Sequence, residues 1–411
     1  MIDLEYSGIP SLAVCNPDCI SCGLNRSSGI SVYGNGARRM LIVFDAQTSI
    51  MATSKSYGIG HEFTFIKNQL YKYGIVAEED CWVTSAVQCY SPSITSKHME
   101  CCRPRLLKTI SMLKPKVILA VGELAAASLF SGVIPGSIKL ERTHGFIHNC
   151  RPFSCWAVAS FVPGSTRLRY SVLDRIVERD IHLAVMALQT PYKAWKEEKQ
   201  CVSVCSQKEA VKRLTGAIAN TKERWMALDY ETTGLKPHNA NQKLVSCAIC
   251  ESLDESWSFM VDDKVTPLLK EFLNAPHIKK IAHNMAFELS WSAAKLGTFG
   301  RRMELDTMLL AHTIDNRDTK ITGIKFLAPM LLGCAVWNKH IEPYLDADKK
   351  EEMLHGENAL NNIHRIQPLD LLTYNAIDSL VEFRVAAVLI PMLKQYNKTL
   401  PTPENIRALS F

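Results

Sequence analysis

Met226-Ala-Leu-Asp-Tyr-Glu-Thr-Thr-Gly-Leu235 is the stretch that decides how the rest of the chain is read. A short apolar run ends in Asp229 and Glu231, one residue apart. Side chains at i and i+2 of a strand share a face, so both carboxylates aim at one point. That point would seat a hard cation. Thr233-Gly234 then turns the chain out of the strand. A solvated strand face explains an isolated Asp-x-Glu pair equally well, so the weight lies with the acidic residues further along the chain.

Two more acidic motifs come in order. Ile281-Ala-His-Asn-Met-Ala-Phe-Glu288 ends a short strand and puts Glu288 on the first turn of a helix. Tyr374-Asn-Ala-Ile-Asp378 opens the last long helix, where residues four apart share a face. Asp306 is another acid between them. Around these motifs the pattern predicts helices over 207–219, 265–274, 285–296, 306–314 and 368–396, and strands over 225–230, 244–250, 256–261 and 280–283, with a less regular stretch up to 367. Ser206 is placed to cap the first helix. Asn284 is read as the cap of the helix starting at Met285, Phe287 as core packing and His283 as a hydrogen-bonded structural histidine. Cys247 and Cys250, at i and i+3 of a strand, face opposite ways and are discounted as a metal pair.

The series Asp229-x-Glu231-x-Thr233-Gly234, His283-Asn284-x-x-Phe287-Glu288 and Tyr374-x-x-x-Asp378 resembles the 3′–5′ exonuclease domain of DNA polymerase I. The wider group is the four-carboxylate, tyrosine-type exonucleases. Ile321-Thr-Gly-Ile-Lys-Phe-Leu-Ala328 and Leu332-Gly333 match the connector of such domains, and the likeness covers residues 203–397. It implies a ribonuclease-H-like fold with a mixed sheet and two Mg²⁺ (or Mn²⁺) ions. Asp229, Glu231 and Asp378 would hold the first ion. Asp229 would bridge to the second, with Glu288 in its outer sphere, and Tyr374 would orient the attacking water. The chemistry has a plain reason: phosphodiester hydrolysis puts negative charge on attacking and leaving oxygens, and two divalent ions stabilise both. The family usually has Asp where this chain has Glu288, so one carboxylate reaches a methylene further.

The front half has a different chemistry. Of fourteen cysteines, eleven lie at or before Cys205, and a reducing cytosol would not oxidise them into a disulfide framework. Strands are predicted over 40–45, 81–89, 116–121 and 156–161, alternating with helices over 63–73, 99–113, 123–130 and 171–189, which implies a parallel sheet. Cys19 and Cys22 form a C-x2-C, the local half of many metal or cluster sites. Together with Cys89 and Cys102 they make a quartet, with Cys15 and Cys101 as competing ligands. Val83-Thr-Ser-Ala-Val-Gln-Cys89, Cys102-Arg-Pro and Leu113-Lys-Pro-Lys-Val-Ile-Leu-Ala-Val-Gly122 resemble the family 4 uracil-DNA glycosylases over residues 10–189. That likeness implies a [4Fe–4S] cluster on Cys19, Cys22, Cys89 and Cys102. Its active-site motifs are altered: Phe44-Asp45-Ala46-Gln47-Thr48, Thr84-Ser85 and Val162-Pro163-Gly164 replace the groups that activate water, read uracil and stabilise the departing base. Asp45 remains as the carboxylate that would activate water if excision survives.

The sequence therefore implies an α/β chain of two tandem domains: a glycosylase-like parallel-sheet domain at 1–189, a linker at 190–205, an exonuclease domain at 206–397 and a tail at 398–411. The composition (47% hydrophobic, 21% charged, net charge +6) is that of a soluble globular protein with mild affinity for polyanions. No apolar run suits a bilayer and no signal peptide is visible, so a cytoplasmic site is expected, in the host cell if the source is a bacteriophage. The expected partners are DNA (single-stranded or a primer 3′ end) and a polymerase lacking its own exonuclease. Arg103, Arg105, Arg142, Arg167 and Arg169 are candidates for phosphate contact. Arg407-Ala-Leu-Ser-Phe411 resembles peptides that grip the sliding clamp. A repair enzyme with active base excision, a non-catalytic scaffold, and RNA as substrate are the competing readings.

Overall fold

The computed structural model describes residues 17–24, 32–134, 136–164 and 171–399. Cys15, Arg167, Arg169 and the clamp-like tail lie outside them. The chain divides between Ala194 and Trp195 into two units, and each carries one sheet. This is the expected α/β architecture of two tandem domains.

In the first unit, strands β1 (Met40–Ala46), β2 (Cys81–Val87), β3 (Val117–Val121), β4 (His148–Cys150) and β5 (Cys155–Ser160) form a sheet of order β2-β1-β3-β5-β4. All neighbours are parallel except β4, which runs antiparallel to β5. Central β1 and β3 are almost wholly buried, as uninterrupted apolar runs with helices on both faces should be. The helices are α1 (Pro17–Cys22), α2 (His61–Tyr71), α3 (Ser96–Leu113), α4 (Glu123–Phe130) and α5 (Ser171–Gln189). Parallel registry brings the ends of β1, β2 and β3 together, at Phe44, Ser85 and Val121. In open α/β sheets this carboxyl edge is where ligands bind.

In the second unit, β6 (Val202–Val204), β7 (Arg224–Thr232), β8 (Leu244–Ser252), β9 (Glu255–Met260), β10 (Ile278–Ala282) and β11 (Met303–Asp306) form a mixed sheet of order β11-β10-β7-β8-β9-β6. β8 is antiparallel to both β7 and β9. The helices are α6 (Gln207–Ala219), α7 (Thr266–Asn274), α8 (Met285–Trp291), α9 (Thr307–Ile314), α10 (Ile324–Leu332) and α11 (Pro368–Thr399). The predicted elements are present with small boundary shifts. The exceptions have local causes. The stretch read as irregular contains α10, whose apolar residues from Leu327 to Leu332 are buried. The helix predicted to 296 is α-helical only to Trp291 and finishes in a wider turn over Ser292–Leu296. Within the stretch read as a linker, β6 pairs with β9 as an edge strand.

β7 sorts its side chains by alternation. Met226, Leu228 and Tyr230 enter one apolar cluster, with the Tyr230 hydroxyl against Ser292 Oγ at 3.1 Å. Ala227 enters another, with Leu380 and Ala386 of α11. Asp229 and Glu231 therefore point to the face that α11 covers. Buried serines let the helix sit close: Ser258 Oγ donates to Leu372 O (2.6 Å), Ser256 Oγ meets Ser379 Oγ (2.7 Å), and Ser246 Oγ donates to Asn375 Oδ1 (2.9 Å). Arg384, fully buried, donates to Leu253 O (2.8 Å) and Lys196 O (3.0 Å) and pairs with Glu198 (3.0 Å). One side chain so fastens α11 to the chain entering the unit. Cys247 and Cys250 lie in different clusters on opposite faces of the sheet, as their spacing predicts.

Candidate active site

Oxygens of Asp229, Glu231 and Asp378 all lie within 4.8 Å of one another. β7 supplies the first two by alternation, and α11 brings the third across them. Glu231 and Asp378 are buried and Asp229 is half-buried. Asn375, next along α11 from Tyr374, orients the group: its Nδ2 donates to Asp229 Oδ2 at 2.6 Å. Asp378 Oδ1 accepts from Lys325 Nζ (2.5 Å) and from Trp337 Nε1 (2.6 Å). The Lys325 ammonium lies 4.2 Å from the Trp337 ring centre and 4.7 Å from that of Tyr374. A positive group thus already leans on the carboxylates.

Glu288, at the first turn of α8, is 2% exposed and its Oε2 has no hydrogen-bond partner. Burial, with the neighbouring carboxylates, raises the pKa of Asp229, Glu231 and Glu288 well above the ordinary carboxylate range. Each lacks enough positive charge to be stable ionised in a dry site. Three oxygens converging on one point, with a buried carboxyl whose oxygen is unsatisfied beside them, fit a hard divalent cation. Tyr374 is buried near Asp378; burial and the nearby carboxylates raise its pKa, so the phenol keeps its proton. Tyr374 is then suited to orient a water and unsuited to serve as a base.

The other residues of the second motif have supporting roles. His283 accepts from Ile324 N at Nε2 (3.0 Å), which leaves Nδ1 to donate to Thr307 Oγ1 (2.9 Å). Burial pushes its pKa down to about 4, and a neutral ring joins β10, α9 and α10. Asn284 does not cap α8 with its side chain. Its backbone takes a left-handed φ of 64°, and the carboxylate of Asp306 accepts from Asn284 N (3.1 Å) and Met285 N (2.9 Å) instead. Asp306 also caps its own helix through Met308 N. Phe287 packs against the core cluster and against Trp291, and also lines a groove of about 620 Å³ with Leu235, Lys236 and His238. At Gly234 a Cβ would stand 2.6 Å from the amide of buried Gln242, so a larger residue there would have to displace that side chain.

In the first unit, Cys102 is buried, and Cys19, Cys22 and Cys89 all lie close enough to act electrostatically on it. Burial comes first among the causes that push its thiol up to about 11, and the N–H of Gln88 opposes the shift. Leu24 N donates to Cys22 Sγ at 3.4 Å. Cys101 also meets α1, with its sulfur 3.6 Å from Ser21 Oγ. Thr84 and Ser85 are fully buried, and the Tyr57 hydroxyl meets Ser85 Oγ at 2.6 Å. The Asp45 carboxylate accepts from Ala125 N (2.8 Å) at the start of α4, and burial raises its pKa to about 6. Gly122 lies so close that a Cβ would be 2.2 Å from that carboxyl. His61 sits against Gly164, a neighbour that the sequence did not reveal. Arg103 is spent on the carbonyls of Ser128 and Ser131, both at 2.8 Å.

Residues 202–394 match the family model of the 3′–5′ exonucleases, and residues 50–193 match that of the uracil DNA glycosylase superfamily. The chain therefore carries a domain of each kind. No curated protein matches it. Among solved structures, Brucella melitensis NrnC with bound Mg²⁺ is 22% identical, covering 44% of this chain and 79% of its own, with a TM-score of 0.34. The catalytic core of Trypanosoma brucei RRP6 is 16% identical (50% of each chain, TM-score 0.35). Escherichia coli RNase D is 16% identical (51% of this chain, 48% of its own, TM-score 0.31). Among the described residues no helix is long and apolar enough to cross a membrane.

The buried carboxyls set a pH dependence for the metal-free protein. Their folded pKa values lie above the unfolded 3.8 and 4.5, so the folded state holds protons that unfolding releases, and stability falls as pH rises. His283 acts oppositely, contributing stability above 6.5 that is lost toward about 4. Between 6.5 and 8 the carboxyls set the slope, since Lys280, lowered by burial to about 8, opposes them only above that pH. In EDTA the melting temperature of the second unit should therefore fall between about pH 6.5 and pH 8, and Mg²⁺ should restore more at the higher pH. A flat profile without a metal response would contradict this.

Proposed function

We propose that the second domain is a divalent-metal-dependent exonuclease that removes nucleotides from the 3′ end of DNA, acting as a proofreading or end-trimming subunit beside a separately encoded polymerase. The observation that carries this reading is the convergence of Asp229, Glu231 and Asp378 within 4.8 Å, with buried Tyr374 one helical turn from the last of them. Asp229, Glu231 and Asp378 would hold one ion, and Asp229 with Glu288 would face a second. When bound, divalent ions offset the negative charge on the attacking and leaving oxygens of the phosphodiester. Asn375 holds Asp229 in the orientation this needs. Tyr374, kept protonated, directs a water toward the phosphorus. The groove of Leu235, Phe287, Lys236 and His238 offers apolar faces for bases, with the ammonium of Lys236, paired to Glu357, at its side.

In the first domain, the reading is a [4Fe–4S] cluster on Cys19, Cys22, Cys89 and Cys102 and a role in binding DNA or a replication partner. Four thiols from three segments suit cubane ligation. A cluster there would tie α1 to the chain after β2 and to α3. Asp45 engaged at a helix start, and Ser85 sealed behind Tyr57, argue against base excision. A bacteriophage source, a cytoplasmic setting and a clamp contact through the tail belong to the same proposal.

A 5′-labelled single strand and a mispaired primer–template should shorten stepwise from the 3′ end with Mg²⁺ or Mn²⁺. Asp229→Ala should slow this at least ~100-fold, a loss of several kcal/mol of transition-state stabilisation. An RNA strand of the same sequence should be cut more slowly, and uracil-containing duplex should release no free base. Absence of shortening by folded protein with either metal would overturn the exonuclease reading. Protein purified without oxygen should carry about four irons and four sulfides per chain. Cys102→Ser should lower the iron content and Cys101→Ser should leave it. Iron-free, colourless protein would overturn the cluster.

A further inference from the structure

Three carboxylates with oxygens within 4.8 Å of one another repel, and a side chain left free would rotate away. Asn375 restrains Asp229. Asp378 is restrained by two donors, from α10 and the segment that follows it, and both fall on one oxygen. Trp337 Nε1 and Lys325 Nζ reach its Oδ1 at 2.6 Å and 2.5 Å. Two donors on one oxygen fix the rotation of the carboxyl group. The donors are themselves held. The Trp337 ring packs against the apolar cluster of Ile341, Ile363, Ile366, Leu371 and Tyr374. Lys325 stands on the first turn of α10, where the neighbouring Ile324 N–H donates to His283 Nε2 (3.0 Å). Its ammonium lies over the rings of Trp337 and Tyr374, at 4.2 Å and 4.7 Å from their centres. The side chain of Lys325 is 32% exposed and that of Asp378 9%, so the contact is partly desolvated.

We propose that Trp337 and Lys325 are positioning residues of the exonuclease site, which act through Asp378 by setting the direction in which its carboxylate meets a divalent ion. The inference rests on the exonuclease reading and deepens it. Carboxylates that bind metal depend on such outer partners, and losing one commonly costs about 10–100-fold in metal affinity. The two donors contribute differently. Trp337 is neutral, so its N–H orients Asp378 without repelling the ion. Lys325 offsets part of the charge of Asp229, Glu231 and Asp378. A lysine that merely filled the place of a cation would have to leave when one binds. Lys325 is instead held on Asp378 between two rings, and it stays. The same ammonium lies against Tyr374, so one side chain touches both motif residues of α11.

Mn²⁺ uptake by the full chain, followed by the electron paramagnetic resonance of the free ion, tests this. Thermal melting without metal establishes that each variant is folded. Trp337→Phe keeps a packed ring and removes the N–H, and it should weaken Mn²⁺ binding by about 10-fold or more. Lys325→Met should weaken it comparably. Lys325→Arg, which keeps the charge and the donors, should bind Mn²⁺ more tightly than Lys325→Met. Strand shortening at limiting Mn²⁺ should follow the same order. Unchanged Mn²⁺ affinity in folded Trp337→Phe would overturn the proposal, because a residue that only packs gives that result. Tighter binding by Lys325→Met would also overturn it, because Lys325 would then compete with the ion. Either outcome leaves the exonuclease reading standing, whereas a wild type that takes up no Mn²⁺ would remove both.

Discussion

Carboxyl groups of β7, α8 and α11 are crowded into one dry corner of the second domain, and that crowding constrains everything around it. Like charges in a low-dielectric site repel strongly, and each loses its hydration on burial. The chain answers with fixed donors: Asn375 on Asp229, and Trp337 and Lys325 on Asp378. These donors are too few to neutralise the corner. The balance is left for divalent cations, and the domain's stability is therefore tied to its chemistry.

The rest of the second unit keeps that corner in shape. α11 must lie close enough to β7, β8 and β9 for Tyr374, Asn375 and Asp378 to reach the strand. Serines at the contact, rather than large apolar residues, make the close approach and take up hydrogen bonds along the helix. Arg384 ties the far part of the same helix to residues 196–198. The neutral ring of His283 joins three elements behind Glu288. A loosened helix would thus be felt first as misplaced oxygens at the metal site, where sub-ångström placement matters.

Much of this is legible in the sequence because its spacing is local. Asp229 with Glu231 follows from strand alternation, Tyr374 with Asp378 from helical spacing, and Glu288 from its place after a short strand. The groups that complete the site come from tertiary contacts. Lys325 and Trp337 sit in a stretch without a clear period, and Asn375 lies between two motif residues. Asn284 reads as a cap by its type alone, whereas Asp306, distant in sequence, accepts the same N–H groups. In the first domain the Cys19–Cys22 spacing is visible, and the closure of Ser85 by Tyr57 is not, since it needs two segments to meet.

The proposed two-cation centre at the end of β7 is tested most directly by the anomalous scattering of crystals grown with Mn²⁺. Two peaks about 3.5–4 Å apart are predicted, one among Asp229, Glu231 and Asp378 and the other beside Asp229 on the side of Glu288. Ordered crystals with no peak among these residues, at a Mn²⁺ concentration that supports strand shortening, would contradict the two-cation centre.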